Sequence, residues 1–164
     1  MNCVKWSGYN SNKINMKINK ANKVVIHHSA SGVKTTTKQI SKWHKDRSFY
    51  YNEAFDNWVG YHYIIHASGR IEQTKLLRDE GCHCIGQNTQ SVGVCLIGNF
   101  ENTYPTDSQA SSLMSLIDYL NRIYGKKLPV WGHCKYSATL CPGDHLKGFV
   151  KLLNDKSIMK LIYK

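Results

Sequence analysis

At 164 residues the chain has the size of one domain, large enough to bury a core without disulfides or a structural metal. Lysine and arginine outnumber aspartate and glutamate by 22 to 11, a formal charge of +11; that sign favours anionic wall polymers as readily as nucleic acid, and it also serves plain solubility. No apolar run is long enough to span a bilayer and Met1-Asn2-Cys3-Val4-Lys5-Trp6 lacks the apolar core of a secretory signal, so membrane insertion is not expected and synthesis in the cytoplasm is.

The six cysteines do not read as a disulfide framework. Without a secretory signal the thiols are expected to be reduced. Cys82 and Cys84 are too close in sequence to bridge each other easily, and Cys95, inside an apolar run, reads as a small buried hydrophobe. The basic residues are scattered along the chain and no aromatic-basic nucleic-acid motif is visible, so no nucleic-acid partner is expected.

Residues 1–21 are polar, rich in Asn and Lys and without a period, and read as an arm lying on the domain with Trp6 and Tyr9 as anchors. Residues 22–164 read as the folded domain. Its first element is the run Val24-Val25-Ile26-His27-His28-Ser29, a buried strand near 23–28 that meets polar residues where its histidines begin. Side chains alternate across a strand, so His27 and His28 face opposite ways. Thr35-Thr36-Thr37 supplies cap hydroxyls for a helix to about Arg47, with Ile40, Trp43 and His44 on one face. The polar and aromatic stretch from Lys45 to Trp58 suits a surface loop, and Trp43, Tyr50, Tyr51 and Trp58 are candidates to wall a groove.

Tyr61-His62-Tyr63-Ile64-Ile65 and Arg70-Ile71-Glu72-Gln73-Thr74 alternate as strands around His66-Ala67-Ser68-Gly69, which predicts a hairpin. Val92 to Ile97 is a continuous apolar run ending at Gly98, as in a central strand covered on both faces. A long helix follows. Thr106 and Gln109 form its capping box, Leu113, Ile117, Leu120 and Tyr124 its apolar stripe, and Gly125 its C′ glycine. Val130-Trp131 is a short strand, and Leu146 to Leu153 another helix. Strands alternating with helices indicate an α/β fold, one domain with a mixed central sheet flanked by helices.

The short strand at Val130 delivers the stretch from Gly132 to Asp144, which carries the chemistry. His133 and Cys141 are metal-ligand types spaced too widely for a zinc-finger knuckle, with the hydroxyl of Thr139 two residues before the cysteine. A third ligand has to come from elsewhere, and the histidines ending the first strand are the best source. Two His and one Cys fill three positions of a tetrahedral Zn²⁺ and leave the fourth for water, the catalytic rather than the structural arrangement. The alternatives are a core histidine bonded to backbone and a core thiol. The cluster Cys82-His83-Cys84 suggests a second metal, but neighbouring ligands on an extended segment point apart.

Four blocks, Val25-Ile26-His27-His28-Ser29-Ala30, Val59-Gly60-Tyr61-His62-Tyr63-Ile64-Ile65, Ser91 through Phe100, and His133 through Pro142, stand in the order seen in zinc-dependent N-acetylmuramoyl-L-alanine amidases. The chain resembles this family, which includes amidase-type phage lysozymes and peptidoglycan recognition proteins, over about residues 22–153. The resemblance implies one zinc ion per chain held by His27, His133 and Cys141. It gives Tyr61 an active-site role as a donor to developing negative charge, with a packed core aromatic as the alternative. Thr139 departs from the phage lysozymes, which often carry lysine there, and agrees with the threonine of many recognition proteins; it is expected to support the oxyanion, or else to be a simple loop hydroxyl. Some relatives carry a glutamate in the strand that here reads Val94-Cys95-Leu96, so the general base is left open.

His83 aligns with a histidine near the substrate groove, and His83, Trp43 and His62 are expected at the substrate. The reaction implied is hydrolysis of the amide between the lactyl group of N-acetylmuramic acid and L-alanine in bacterial peptidoglycan, as in a phage endolysin or bacterial autolysin that reaches the wall after release. A monomer is expected. A peptidoglycan-binding module that does not cut is the alternative.

Overall fold

The computed structural model describes residues 18–155. The expected anchors Trp6 and Tyr9 lie outside the described residues. Five strands form one sheet in the order β3-β2-β4-β1-β5. In chain order they are β1 Lys23–His28, β2 Tyr63–Ile65, β3 Ile71–Gln73, β4 Ser91–Leu96 and β5 Val130–Gly132, with helices α1 Thr37–Lys45, α2 Asp107–Tyr124 and α3 Asp144–Asn154 between and after them. β1 runs parallel to β4 and β5, β2 parallel to β4, and the β2–β3 hairpin is antiparallel. This is the α/β architecture with a mixed sheet that the alternation of elements predicts. Among the described residues no helix is long and apolar enough to cross a membrane.

The pleat divides the central strands between two cores. Val24, Ile26, Val92, Val94, Leu96 and Val130 face α2 and α3 and pack with Leu113, Leu116, Leu120, Leu146 and Val150. Ile64, Cys95 and Ile97 face the other way and pack with Ile40 of α1 and with Val59, against which Tyr61 lies half-buried. Burying one such aliphatic side chain contributes about 1.5–3 kcal/mol, so the larger cluster dominates stability.

α2 follows its sequence signals closely. Thr106 accepts from the backbone of Gln109, the Gln109 side chain accepts from the backbone of Thr106, and Gly125 ends the helix at φ 62°. The Gln109 amide also donates to the carbonyls of Ile65 and Ile97, at 3.3 and 2.9 Å, which ties the helix start to the ends of β2 and β4. α1 departs in one respect. Thr36 caps it as the hydroxyl run suggests, but the buried face is Ile40, Ser41 and His44, while Trp43 is 40 % exposed. At about 100° per residue Ile40, Ser41 and His44 share one arc of the helix, and position 43 falls outside it.

Ahead of β1, residues 18–21 lie against the domain. The Asn19 N–H donates to the Leu77 carbonyl at 2.7 Å, its side chain accepts from the Tyr124 hydroxyl at 2.7 Å, and Ala21 is fully buried.

Candidate metal centre

Three parallel strands end side by side, and the groups of interest sit at or just past those carboxyl ends, where open α/β sheets ordinarily bind ligands. β1 ends in His27 and His28, β4 in Cys95 and Leu96, and β5 in Gly132, directly before His133. His27 is paired in register with Cys95, so both point to the α1 face. His28 points to the opposite face, where its Nδ1 accepts from the Phe100 N–H at 3.3 Å and its Nε2 stands 4.0 Å from Glu101. One strand thus offers a single histidine to the site.

The loop after β5 brings the other two ligand types. The Cys134 N–H donates to the Cys141 carbonyl at 2.8 Å, closing the loop on itself, and the Cys141 N–H donates to Thr139 Oγ1 at 3.2 Å. As a result one nitrogen each of His27 and His133 and the sulfur of Cys141 lie within 4.8 Å of one another. His27 Nδ1 is 3.7 Å from Cys141 Sγ. A tetrahedral ion with bonds of about 2.0 Å to nitrogen and about 2.3 Å to sulfur separates two such ligands by about 3.5 Å, so the donor set and its spacing fit zinc. Among the described residues this is the group of His, Cys, Asp or Glu gathered for a metal, and Cys82, His83 and Cys84 do not form a second.

The electrostatics suit a cation. Burial holds His27 well below the usual imidazole range, reinforced by His83, His133, His28 and His44, and burial alone lowers His133, so both rings are neutral and carry free lone pairs. Burial pushes the Cys141 thiol up to about 12, although the backbone N–H of His28 donates to the sulfur and pulls the other way. A divalent cation reverses that direction, since a coordinating thiol is deprotonated outright.

Tyr61 lies beside this group, its ring 5.1 Å from that of His27 and 5.2 Å from that of His44. Burial raises its pKa well above the ordinary phenol value, with Cys95 and Cys141 adding to the effect, so it stays a hydrogen-bond donor. Its hydroxyl bonds the side chain of Cys95. Thr139 accepts from the Cys141 N–H and keeps its own hydroxyl proton free to donate.

The residues expected at a substrate separate into three places. Trp43 is on the solvent side of α1, apart from the buried set. His62 does not fit the expectation: it is 0 % exposed, its Nδ1 accepts from Gly93 N–H at 3.0 Å and its Nε2 lies 3.1 Å from the Asp79 carbonyl. Both ring nitrogens are committed to backbone, so it braces the sheet and cannot touch a ligand. His83 stands behind His27, with its Nδ1 3.0 Å from His27 Nε2. Tyr51 and Trp58, with ring centroids 4.7 Å apart, and Lys45 over Trp58 make an exposed aromatic patch beside α1.

Two groups near the site escaped the sequence. Cys95 was legible only as a hydrophobe, because its contact with Tyr61 depends on strand register. Gly93, mid-strand, was a usable signal of close approach: a Cβ there would lie 2.4 Å from the His83 ring.

The family described as N-acetylmuramoyl-L-alanine amidase matches residues 17–144. The chain is 29 % identical over 137 residues to a peptidoglycan-recognition protein of Drosophila melanogaster, covering 78 % of this chain and 71 % of the relative. It is 30 % identical over 133 residues to the endolysin of Enterobacteria phage K11, covering 77 % and 83 %. Among solved structures, the N-acetylmuramoyl-L-alanine amidase LysC from Clostridium intestinale URNW superposes with a TM-score of 0.72 at 28 % identity, covering 84 % of this chain and 88 % of that one. The chain belongs to the N-acetylmuramoyl-L-alanine amidase family.

Proposed function

We propose that this chain is a zinc-dependent hydrolase that cuts the amide bond between N-acetylmuramic acid and L-alanine in bacterial peptidoglycan and so lyses the wall. The observation that carries the reading is the convergence of His27, His133 and Cys141, from three separate stretches of chain, to within 4.8 Å. A zinc ion held by these three supplies a Lewis acid for the scissile carbonyl and makes a nucleophile of water near neutral pH.

The chain's own residues then have distinct tasks. Tyr61, kept protonated by burial, donates toward the negative charge that builds on the carbonyl oxygen. Thr139 offers a second, neutral donor from the loop that carries Cys141. Cys95 holds the Tyr61 hydroxyl on the site side of the sheet. The exposed Trp43, and the patch of Tyr51 and Trp58, give apolar surface beside α1 against which sugar or peptide can pack. Anionic wall polymers match the +11 charge as a further attraction. We place its action at the wall after release from the cytoplasm, as a monomer.

Similarity to a peptidoglycan-recognition protein supports a second reading, a module that binds the wall without cutting it. End-group analysis separates the two. Digestion of purified wall is expected to free new L-alanine amino termini and to stop on chelation. New reducing sugar ends would point to a glycosidase, and binding without new termini of either kind would favour the recognition module.

A further inference from the structure

His27 presents one ring nitrogen to the candidate metal centre and turns the other away from it. Its Nδ1 faces Cys141 Sγ at 3.7 Å, while Nε2 lies 3.0 Å from Nδ1 of His83. The far side of the His83 ring continues the line. His83 Nε2 lies 3.4 Å from Ser91 Oγ, and Ser91 Oγ lies 2.7 Å from the Gln87 carbonyl oxygen.

The order of protons along this line follows from its last member. A carbonyl oxygen only accepts, so the Ser91 hydroxyl proton goes to Gln87. Ser91 Oγ can then only accept from His83, which puts the proton of a neutral His83 ring on Nε2 and leaves its Nδ1 bare. A bare Nδ1 accepts from His27 Nε2–H. His27 therefore carries its lone pair on Nδ1, the nitrogen that faces Cys141.

The packing around His83 holds its ring in this line. A Cβ at Gly81 or at Gly93 would come within 2.4 Å of His83 Cδ2, so two glycines make the slot in which the ring lies. The backbone N–H groups of His83 and Cys84 both donate to Asn88 Oδ1, at 2.9 and 2.8 Å, and fix where the ring starts. His62 packs edge-on to the ring at 6.0 Å and itself holds the Gly93 N–H.

We propose that His83 is a positioning residue, whose hydrogen bond to His27, anchored through Ser91 at the Gln87 carbonyl, sets the His27 tautomer that offers Nδ1 to the metal. The proposal rests on His27 being a ligand of the functional centre. It assigns His83 to the metal side of the site in place of the substrate contact expected from sequence. A ligand histidine whose second nitrogen is held this way is both oriented and made more basic, and losing the partner ordinarily weakens metal binding by about 10- to 100-fold.

The test uses the whole chain and has two readouts. Imidazole nitrogen chemical shifts in the metal-free wild type are expected to show His27 protonated at Nε2. His83→Leu, which fills the slot without an acceptor, is expected to mix the two His27 tautomers and to weaken zinc binding, measured by competition with a chromogenic chelator, by about 10- to 100-fold. His83→Asn returns an acceptor oxygen near the position of Nδ1 and is expected to restore affinity to within about threefold of wild type. Wild-type affinity and an unchanged His27 tautomer in His83→Leu would overturn the proposal, as would a wild-type His27 protonated at Nδ1. Should the leucine variant fail to fold, the wild-type shifts and the asparagine variant decide. A wild type that takes up no zinc would sink the hydrolase reading instead, while the tautomer measurement would still judge the relay.

Discussion

The two faces of the sheet are built from alternate residues of the same strands, yet they do different things. Toward α2 and α3, β1 presents Val24 and Ile26 and every neighbour in the cluster is apolar. Toward α1, the same strand presents Val25 and then His27, paired with Cys95, and the small cluster of Ile40, Val59, Ile64, Cys95 and Ile97 gives way at the strand ends to histidines, a phenol and a thiol. One residue of offset decides which face a side chain joins. The fold stores its stability on the side away from the candidate centre, and that leaves the other side free to hold buried, neutral imidazoles at a cost the first side offsets.

If this division is right, substitutions on the two faces break different properties. The largest effect is expected for Cys141→Ser, which removes the only sulfur of the candidate centre: turnover falls by at least about 10³-fold, on the order of 4 kcal/mol in barrier, while wall binding and the urea midpoint of the metal-free protein barely move. Wild-type activity in that variant would take the cysteine out of the centre. Tyr61→Phe is expected to keep zinc and lose about 10²- to 10³-fold in kcat, the ordinary loss for one donor to a developing oxyanion. Steady-state kinetics on soluble wall fragments, with zinc content measured alongside, would check both.

On the opposite face, Leu120→Ala opens a cavity in the larger cluster, where Leu120 is fully buried. It is expected to lower unfolding free energy by about 3 kcal/mol with kcat of the folded fraction unchanged. A change in kcat of tenfold would blur the comparison.

Acid should act on the α1 face first. Burial lowers His44 and His62 to about 4, in His44 with help from Arg47, and holds His27 and His83 well below the usual imidazole range. Unfolded, these rings titrate near the ordinary value of about 6.5. Between the folded and unfolded values the unfolded chain binds protons that the folded chain does not, so stability is complete above about pH 6.5 and falls as pH drops toward 4. The urea midpoint of chelated protein is expected to decline through that window by an amount worth on the order of 2–3 kcal/mol for each of His44 and His62, with His27 and His83 adding in the same direction. A flat midpoint from about pH 7 to about pH 4.5 would mean the histidines are not buried neutral. The smallest effect is expected for Thr106→Ala, which unmakes the α2 capping box at about 1 kcal/mol with no change at the site.

The part of the molecule legible in sequence was the part fixed by local rules. The capping box of Thr106 and Gln109, the C′ glycine Gly125, the hairpin turn before Arg70 and the apolar run of β4 each announce themselves within a few residues, and each is where expected. The opposite facing of His27 and His28 was legible too, since the pleat alone dictates it. What sequence could not supply was whatever depends on two distant stretches meeting. Trp43 reads as part of the buried helix face until the packing of α1 shows that its buried arc is Ile40, Ser41 and His44. His62 stands next to Tyr61 in the same block, but the bend ahead of β2 turns it toward the Gly93 backbone and the Asp79 carbonyl. His83 looks like a groove residue until the slot between Gly81 and Gly93 places it behind His27.

X-ray absorption at the zinc edge of the purified, zinc-loaded chain tests the central claim most directly. The expected result is one zinc per chain with one sulfur at about 2.3 Å, two imidazole nitrogens at about 2.0 Å and a fourth light-atom neighbour. A spectrum without sulfur scattering that is also unchanged in the Cys141→Ser variant would contradict it.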